Sequence, residues 1–122
     1  MSLNKERLHS FLLAMNDKKD YIKAHDIGRE MLLSGDDKSQ AKLFAAIAGL
    51  AQQYSKCNRN GYKKFRKMVL TKMEEAPENP FDEADFKEQL KDMDTLLESQ
   101  TDHNFREVCH RAHQHQLVLR LK

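Results

Sequence analysis

Side chains capable of chemistry are most closely spaced near the end of the chain, where residues 109–116 read CHRAHQHQ. Thiol and imidazole groups bind transition metals and also act as nucleophiles or general bases. On a helix with 100° per residue, Cys109 and His113 share one face, whereas His110 and His115 point elsewhere. One pair falls short of the roughly four ligands of a closed zinc site. A thiol nucleophile would also need an orienting third group, which the sequence does not show. We therefore predict no metal and no cofactor, and we interpret the histidines as a polar helix flank.

The same helix carries a second spacing of chemical interest. Arg106 and His113 are separated by six residues and flank the same apolar face. This pair is similar to the R-x(4–6)-H motif of the HEPN ribonuclease superfamily, which comprises compact all-helical domains, often dimeric, that cleave RNA without a metal. The resemblance covers one helix and two residues. It implies that Arg106 stabilises the phosphate and that His113 is a general acid or base, roles that both side chains support. A ribonuclease is therefore the enzymatic alternative to the non-enzymatic function that we favour.

Charge is distributed in blocks along the chain, although the net charge is only +2. Residues 38–73 carry nine basic and no acidic side chains, whereas residues 74–102 carry two basic and eleven acidic ones. The basic block is densest in YSKCNRNGYKKFRK, where cations alternate with Tyr54, Tyr62 and Phe65. Cations bind phosphates and aromatic rings stack on bases, so this mixture favours a nucleic-acid surface. The candidate nucleic-acid-binding residues are Lys56, Arg59, Lys63, Lys64, Arg66 and Lys67.

Two other interpretations of the charge blocks stay open. Helices that follow one another in the chain through short loops lie antiparallel, so the acidic helix after APENP can lie beside the basic one and neutralise it. Tyr62 and Phe65 also fall on an apolar stripe, which would bury them. Alternatively, the acidic helix 82–98 binds a basic protein, as an adaptor or an immunity-type protein would, with Glu88 and Asp92 in the contact. We accordingly predict a macromolecular partner, protein or nucleic acid, and allow a homodimer.

Apolar residues recur at helical spacing along the whole chain, and no stretch alternates as a strand does. The pattern predicts helices at about 3–16, 21–32, 38–57, 62–73, 82–98 and from Thr101 or Asp102 to the C-terminus. The third is apolar or small around almost its whole circumference, which predicts a buried central helix.

Several residues also predict where helices begin and end. Gly35 suits the left-handed position after the second helix, and Asp37 with Gln40 forms a capping-box pattern. Phe81 and Phe86, placed on either side of Asp82, form a hydrophobic staple that predicts the start of the fifth helix.

Length and composition set the fold class. A chain of 122 residues, 39% hydrophobic and 33% charged, suits one domain of amphipathic helices. We predict an all-α single domain over 1–122 with a break at 76–81. It is built from about six antiparallel helices, either as an irregular bundle or as three stacked helical hairpins. Cys57 and Cys109 are expected to be reduced and semi-buried. The first residues are charged, and no apolar run approaches the roughly 20 residues of a membrane span, so we expect a cytoplasmic protein without contact to a membrane.

Overall fold

The computed structural model describes residues 4–122, and within them it contains six α-helices and no strand. The helices are α1 (Lys5–Leu12), α2 (Tyr21–Leu33), α3 (Lys38–Ser55), α4 (Arg59–Glu75), α5 (Glu83–Glu98) and α6 (Phe105–Gln114), and a π-helical stretch, Leu13–Lys18, follows α1. The predicted all-α class is thereby confirmed. The first helix was predicted to begin at residue 3, which lies outside the described residues. No helix within 4–122 combines the length and the apolarity needed to cross a membrane.

The centre of the fold is α3, as its apolar circumference predicts. Its most extensive helix contacts are with α2 on one side and α4 on the other. Close approach depends on small residues: a Cβ added at Gly28 of α2 would lie 2.8 Å from the backbone nitrogen of Ala45. On the other side, Gly49 of α3 leaves room for the ring of Phe65. One hydrophobic cluster includes residues from every helix, which favours the bundle over separately packed hairpins.

The predicted helix ends around residues 34–40 form in part. Gly35 follows α2 with a φ of 80°, and the next N–H, that of Asp36, donates to the Met31 carbonyl at 3.0 Å. Asp37 accepts a hydrogen bond from the backbone N–H of Gln40 at 3.1 Å. The Gln40 side-chain oxygen is buried without a partner in the described part of the chain, so only half of the capping box forms.

The turn before α5 begins the helix as predicted. Asp82 accepts a hydrogen bond from the backbone N–H of Asp85 at 3.1 Å, and the staple residues Phe81 and Phe86 are both buried. The turn itself is shaped by Asn79, which is 1% exposed. Its side-chain amide donates to the Ala76 carbonyl at 2.7 Å and its oxygen accepts from the Phe81 N–H at 3.0 Å. One buried side chain therefore satisfies the backbone on both sides of this turn.

The predicted bounds of the last helix are wrong at both ends. It begins at Phe105, because Thr101 closes a separate turn by accepting the backbone N–H groups of His103 and Asn104, each at 3.2 Å. It ends at Gln114, and residues 115–122 are not helical. The chain beyond α6 is extended, and its residues 116–122 are called the C-terminal segment below.

The C-terminal segment is extended because side chains from distant elements bind its backbone. Asn16 donates to the Leu119 carbonyl at 2.9 Å and accepts from the Leu119 N–H at 2.8 Å. Gln89 does the same with Val118, at 2.7 and 3.0 Å. Leu117 and Leu119 are 1% and 4% exposed. Burial of a leucine contributes about 1.5–3 kcal/mol, which exceeds the few tenths of a kcal/mol per residue at stake in helix propensity.

The two cysteines, which were expected to be reduced and semi-buried, lie in contact with each other in this structure. They are 52 residues apart in the chain, but their Cα atoms lie 5.5 Å apart, a separation typical of bridged cysteines. Cys57 occupies the corner between α3 and α4 in a left-handed conformation, with a φ of 56°, and this corner lies against α6. The pair ties α6 to the corner, where α6 otherwise buries only Val108 and Ala112.

Candidate functional site

The basic candidates lie at the corner between α3 and α4 and along α4. Asn58 caps α4 by accepting the Gly61 N–H at 3.0 Å, and the buried residues Tyr62, Val69 and Met73 hold one face of α4 in the core. The cations lie on the remaining circumference. Five of the six candidates are exposed, namely Lys56, Arg59, Lys63, Lys64 and Lys67, and Arg66 is partly buried.

Part of this charge is neutralised by α5. The Arg66 guanidinium forms a bidentate ion pair with Asp94, with nitrogen–oxygen distances of 2.9 Å at Nε and at the terminal nitrogen. The same carboxylate accepts the Tyr62 hydroxyl at 2.6 Å, and Lys63 pairs with Glu98 at 3.5 Å. The Asp94 hydrogen bond raises the pKa of Arg66, and burial followed by that carboxylate raises the pKa of Tyr62. Internal charge matching, one of the two competing interpretations, therefore describes two of the six candidates.

The other four candidates have no carboxylate within 4.0 Å in residues 4–122, and we call them the basic surface: Lys56, Arg59, Lys64 and Lys67. Arg59 lies at its edge, since it borders one small cleft with Asp94 and another with Asp102. Lys64 and Lys67 lie on the outward face of α4. At 1.5 Å per residue, Arg59 and Lys67 are about 12 Å apart along the helix axis.

The aromatic residues interleaved with these cations are buried or partly buried. Tyr54 and Tyr62 are each 2% exposed, and their rings pack together with centroids 5.9 Å apart. Phe65 is partly buried against α3. Burial, and secondarily the nearby charge of Asp92, raises the pKa of Tyr54 to about 12. These rings stabilise the core, so they do not form the exposed stacking platform that the sequence suggested. The exposed ring near the basic surface is that of Phe105, which lines a cleft with Arg59.

Arg106 and His113 are both exposed on α6, about 10 Å apart along its axis. Neither lines the cleft that Arg59 shares with Asp102 or the cleft beside Asp92 described below, and neither forms an ion pair among residues 4–122. No side-chain hydrogen bond or ion pair within residues 4–122 links either of them to another group. The ribonuclease interpretation stays a prediction that no contact of the described residues supports.

The acidic candidates Glu88 and Asp92 are exposed on α5. Glu88 pairs with Lys91 at 3.3 Å on the open side of the helix. Asp92 borders a cleft of about 760 Å³ between α5, the end of α6 and the C-terminal segment, opposite Arg111 and His115. The sequence did not indicate this cleft, because it exists only where the C-terminal segment leaves α6 and turns back across α5.

The described residues hold no group of three or more side chains arranged to bind a metal. Cys109 lies against Cys57 rather than within such a group. The chain matches no family model, no curated protein and no solved structure. Its function must therefore be inferred from the charge, burial and contacts of its own residues.

Proposed function

We propose that this protein binds nucleic acid, with the basic surface contacting the phosphate backbone. The observation that carries this proposal is the set of four exposed cations without a carboxylate partner in residues 4–122, on a stretch of 36 residues that holds no acid. Cations of this kind displace condensed counterions from nucleic acid, and the release of those counterions supplies affinity.

The start of α4 adds to this attraction. Arg59 is the first residue of α4, and the first turn of a helix presents unpaired N–H groups and a partial positive charge. Asn58 satisfies the Gly61 N–H, so other N–H groups of this turn are left to face solvent or a ligand. The helix end and the side chains around it favour an anion at the same place.

The acidic helix limits where a polyanion can lie. Asp94 and Glu98 lie on the side of α5 that faces α4, where they form ion pairs with Arg66 and Lys63. Phosphates would be repelled there, so the bound strand must pass over the outward face that bears Lys64 and Lys67. The carboxylates of α5 thus orient the interface and also stabilise the fold.

The burial of Tyr54 and Tyr62 determines which form of nucleic acid we expect the basic surface to bind. With Tyr54 and Tyr62 in the core and Phe65 partly buried, the face of α4 that bears Lys64 and Lys67 offers charge but no exposed ring, and the exposed ring of Phe105 lies only at its edge, in a cleft with Arg59. We therefore expect a preference for duplexes, whose charge density is higher than that of single strands, and little dependence on base sequence.

The test is fluorescence anisotropy of a short labelled duplex with full-length protein. Replacing Lys64 and Lys67 by glutamine removes two phosphate contacts, which should weaken binding roughly 60-fold at 0.1 M salt if each contact releases about 0.9 counterion. The matched control replaces Lys23 and Lys87, which are exposed on α2 and α5, by glutamine. The control loses the same charge and should bind nearly as tightly as wild type. Equal losses in the two variants, or no binding of DNA or RNA by wild type, would refute the proposal.

A further inference from the structure

The outward face of α2 carries the two most exposed large apolar side chains of the described chain. Ile22 is 65% exposed and Leu33 is 77% exposed, whereas the other exposed large apolar residues lie between 37% and 47%. A single exposed apolar residue is common on protein surfaces. These two, however, lie on one helix and are separated by about three helical turns. Their exposure is therefore a property of this face of α2.

Four residues form one stripe along this face, namely Ile22, Asp26, Arg29 and Leu33, and we call them the α2 stripe. Their spacing of four, three and four residues is that of the seam of a coiled coil. At 100° per residue they fall within about 60° of one another. All four are exposed, and the residues that α2 buries lie on the opposite half of the helix. The stripe therefore points away from the core of its own molecule.

The two charged residues of the α2 stripe have no partner in the described molecule. Neither Asp26 nor Arg29 forms an ion pair within residues 4–122. By contrast, Glu30, which lies beside the stripe, pairs with Arg7 at 3.0 Å. The stripe thus presents, in order along the helix, an apolar residue, an acid, a base and a second apolar residue.

This order is complementary to itself when two copies of α2 lie antiparallel. With a two-fold axis midway between Asp26 and Arg29, each residue faces the one equally far beyond the axis on the other copy. Ile22 then faces Leu33 of the second copy, and Asp26 faces Arg29 of the second copy. The two-fold axis repeats both contacts, because the same patch serves both molecules. A parallel arrangement would instead place each charge beside its like, which is unfavourable.

From this order we infer that the outward face of α2 is a dimer interface, on which the α2 stripe of a second copy of this chain packs antiparallel. The second copy is the occupant because its stripe places an opposite charge against each charge and an apolar side chain against each apolar one. The stripe shares no residue with the basic surface, so this inference does not depend on the proposed function.

The dimer is expected to be weak. Two helices of 13 residues make a small contact beside the roughly 1,200 Å² at which standard interfaces begin, so we expect a dissociation constant on the order of 0.1–1 mM. In sedimentation equilibrium up to about 1 mM protein, the mass of the wild type should then rise from 14.3 kDa toward twice that value.

Charge reversal with rescue tests the inference in full-length protein. Asp26→Arg leaves two arginines on the stripe, and Arg29→Asp leaves two aspartates, so each variant alone opposes like charges across the axis. Each should dimerise at least about tenfold more weakly than wild type, because both interfacial ion pairs become repulsive. An equimolar mixture of the two variants restores opposite charges at every pair, and its heterodimer should form about as tightly as the wild-type dimer.

The control Asp92→Arg makes the same charge change at an exposed position of α5 and should leave the dissociation constant unchanged. Circular dichroism should show wild-type helicity in every variant, since all the substituted side chains are exposed. Three results would overturn the inference: a wild type that stays monomeric at about 1 mM, single variants that dimerise as wild type does, or a mixture as weakly associated as the single variants.

The apolar ends of the α2 stripe give a second measurement. Leu33→Ser removes a side chain that is buried twice in the dimer and should weaken dimerisation about tenfold or more. Leu121→Ser removes an exposed leucine outside α2 and should not change the dissociation constant. Equal dissociation constants for these two variants would show that the stripe is not the interface.

Discussion

At the scale of single residues, Asp94 is the side chain on which both the packing and the charge of α4 depend. Its carboxylate accepts the Tyr62 hydroxyl at 2.6 Å and both forks of the Arg66 guanidinium at 2.9 Å. The group is partly buried, so its hydrogen bonds are weakened less by solvent than those of a fully exposed pair such as Lys91 and Glu88. One carboxylate therefore joins α4 to α5 and neutralises one of the cations of α4.

The substitution Asp94→Asn should destabilise the protein by about 1–3 kcal/mol, because hydrogen bonds to charged groups contribute about 1.5–3 kcal/mol each and the amide replaces them only in part. The free energy of unfolding in urea measures this loss. The control Asp92→Asn removes the same charge from an exposed position on the same helix and should change stability by less than about 0.5 kcal/mol. Similar effects of the two substitutions would show that Asp94 does not have this role.

The buried tyrosines predict how stability depends on pH. Burial raises the pKa of Tyr21 and of Tyr54 from 10.0 to about 12 in the folded protein. Above pH 10 the unfolded chain releases these protons while the folded chain retains them, so the folded state loses stability as the pH rises. The free energy of unfolding should be independent of these groups below pH 10 and should fall between pH 10 and 12. Tyr54→Phe should make that fall shallower, and a profile identical to wild type would contradict the assignment.

At the scale of helices, the packing of α2 on α3 depends on Gly28. Its missing side chain lets the two backbones approach, because a Cβ there would lie 2.8 Å from the Ala45 nitrogen. Backbone atoms of a central helix cannot yield locally as a flexible side chain does. Gly28 therefore constrains how closely α2 and α3 pack.

Gly28→Ala should lower the free energy of unfolding by about 1–3 kcal/mol, since one of the two helices must shift. The matched control is Gly61→Ala in α4, where the added Cβ would meet only the flexible side chain of Gln53. That side chain can move, and alanine favours the helix by up to about 1 kcal/mol, so the control should be neutral or stabilised. Urea denaturation of both variants gives the comparison, and a Gly28→Ala protein as stable as wild type would disprove the tight contact.

Sequence reasoning succeeded where one element determines its own structure. The uninterrupted apolar circumference of α3 predicted its central place, and the staple around Asp82 predicted the start of α5. It failed at residues 115–122, because a hydrophobic period is distinguished over windows of roughly 11–18 residues, and this stretch is shorter. The choice is made by Asn16 and Gln89, which are 103 and 29 residues away from their partners and carry no local signal. The pairing of Cys57 with Cys109 is equally long-range, so spacing alone did not show it.

At the scale of the whole molecule, basic and acidic residues occupy separate stretches of the sequence, and the fold brings some of them into contact. Counting residues showed a basic block and an acidic block, but it did not show which cations meet which carboxylates. The structure pairs Arg66 and Lys63 with α5 and leaves the four cations of the basic surface unpaired in the described chain. Which side of α4 is available to a polyanion was therefore beyond sequence reasoning, whereas the presence of a basic region was not.

The salt dependence of duplex binding by the wild-type protein tests the central claim most directly. With about four phosphate contacts, the logarithm of the association constant should fall against the logarithm of salt concentration with a slope of about −3.6, which is roughly a 150-fold loss between 50 and 200 mM. The slope should be the same for duplexes of unrelated sequence. A slope near zero, or no measurable binding at 50 mM salt, would contradict the claim that the basic surface binds nucleic acid.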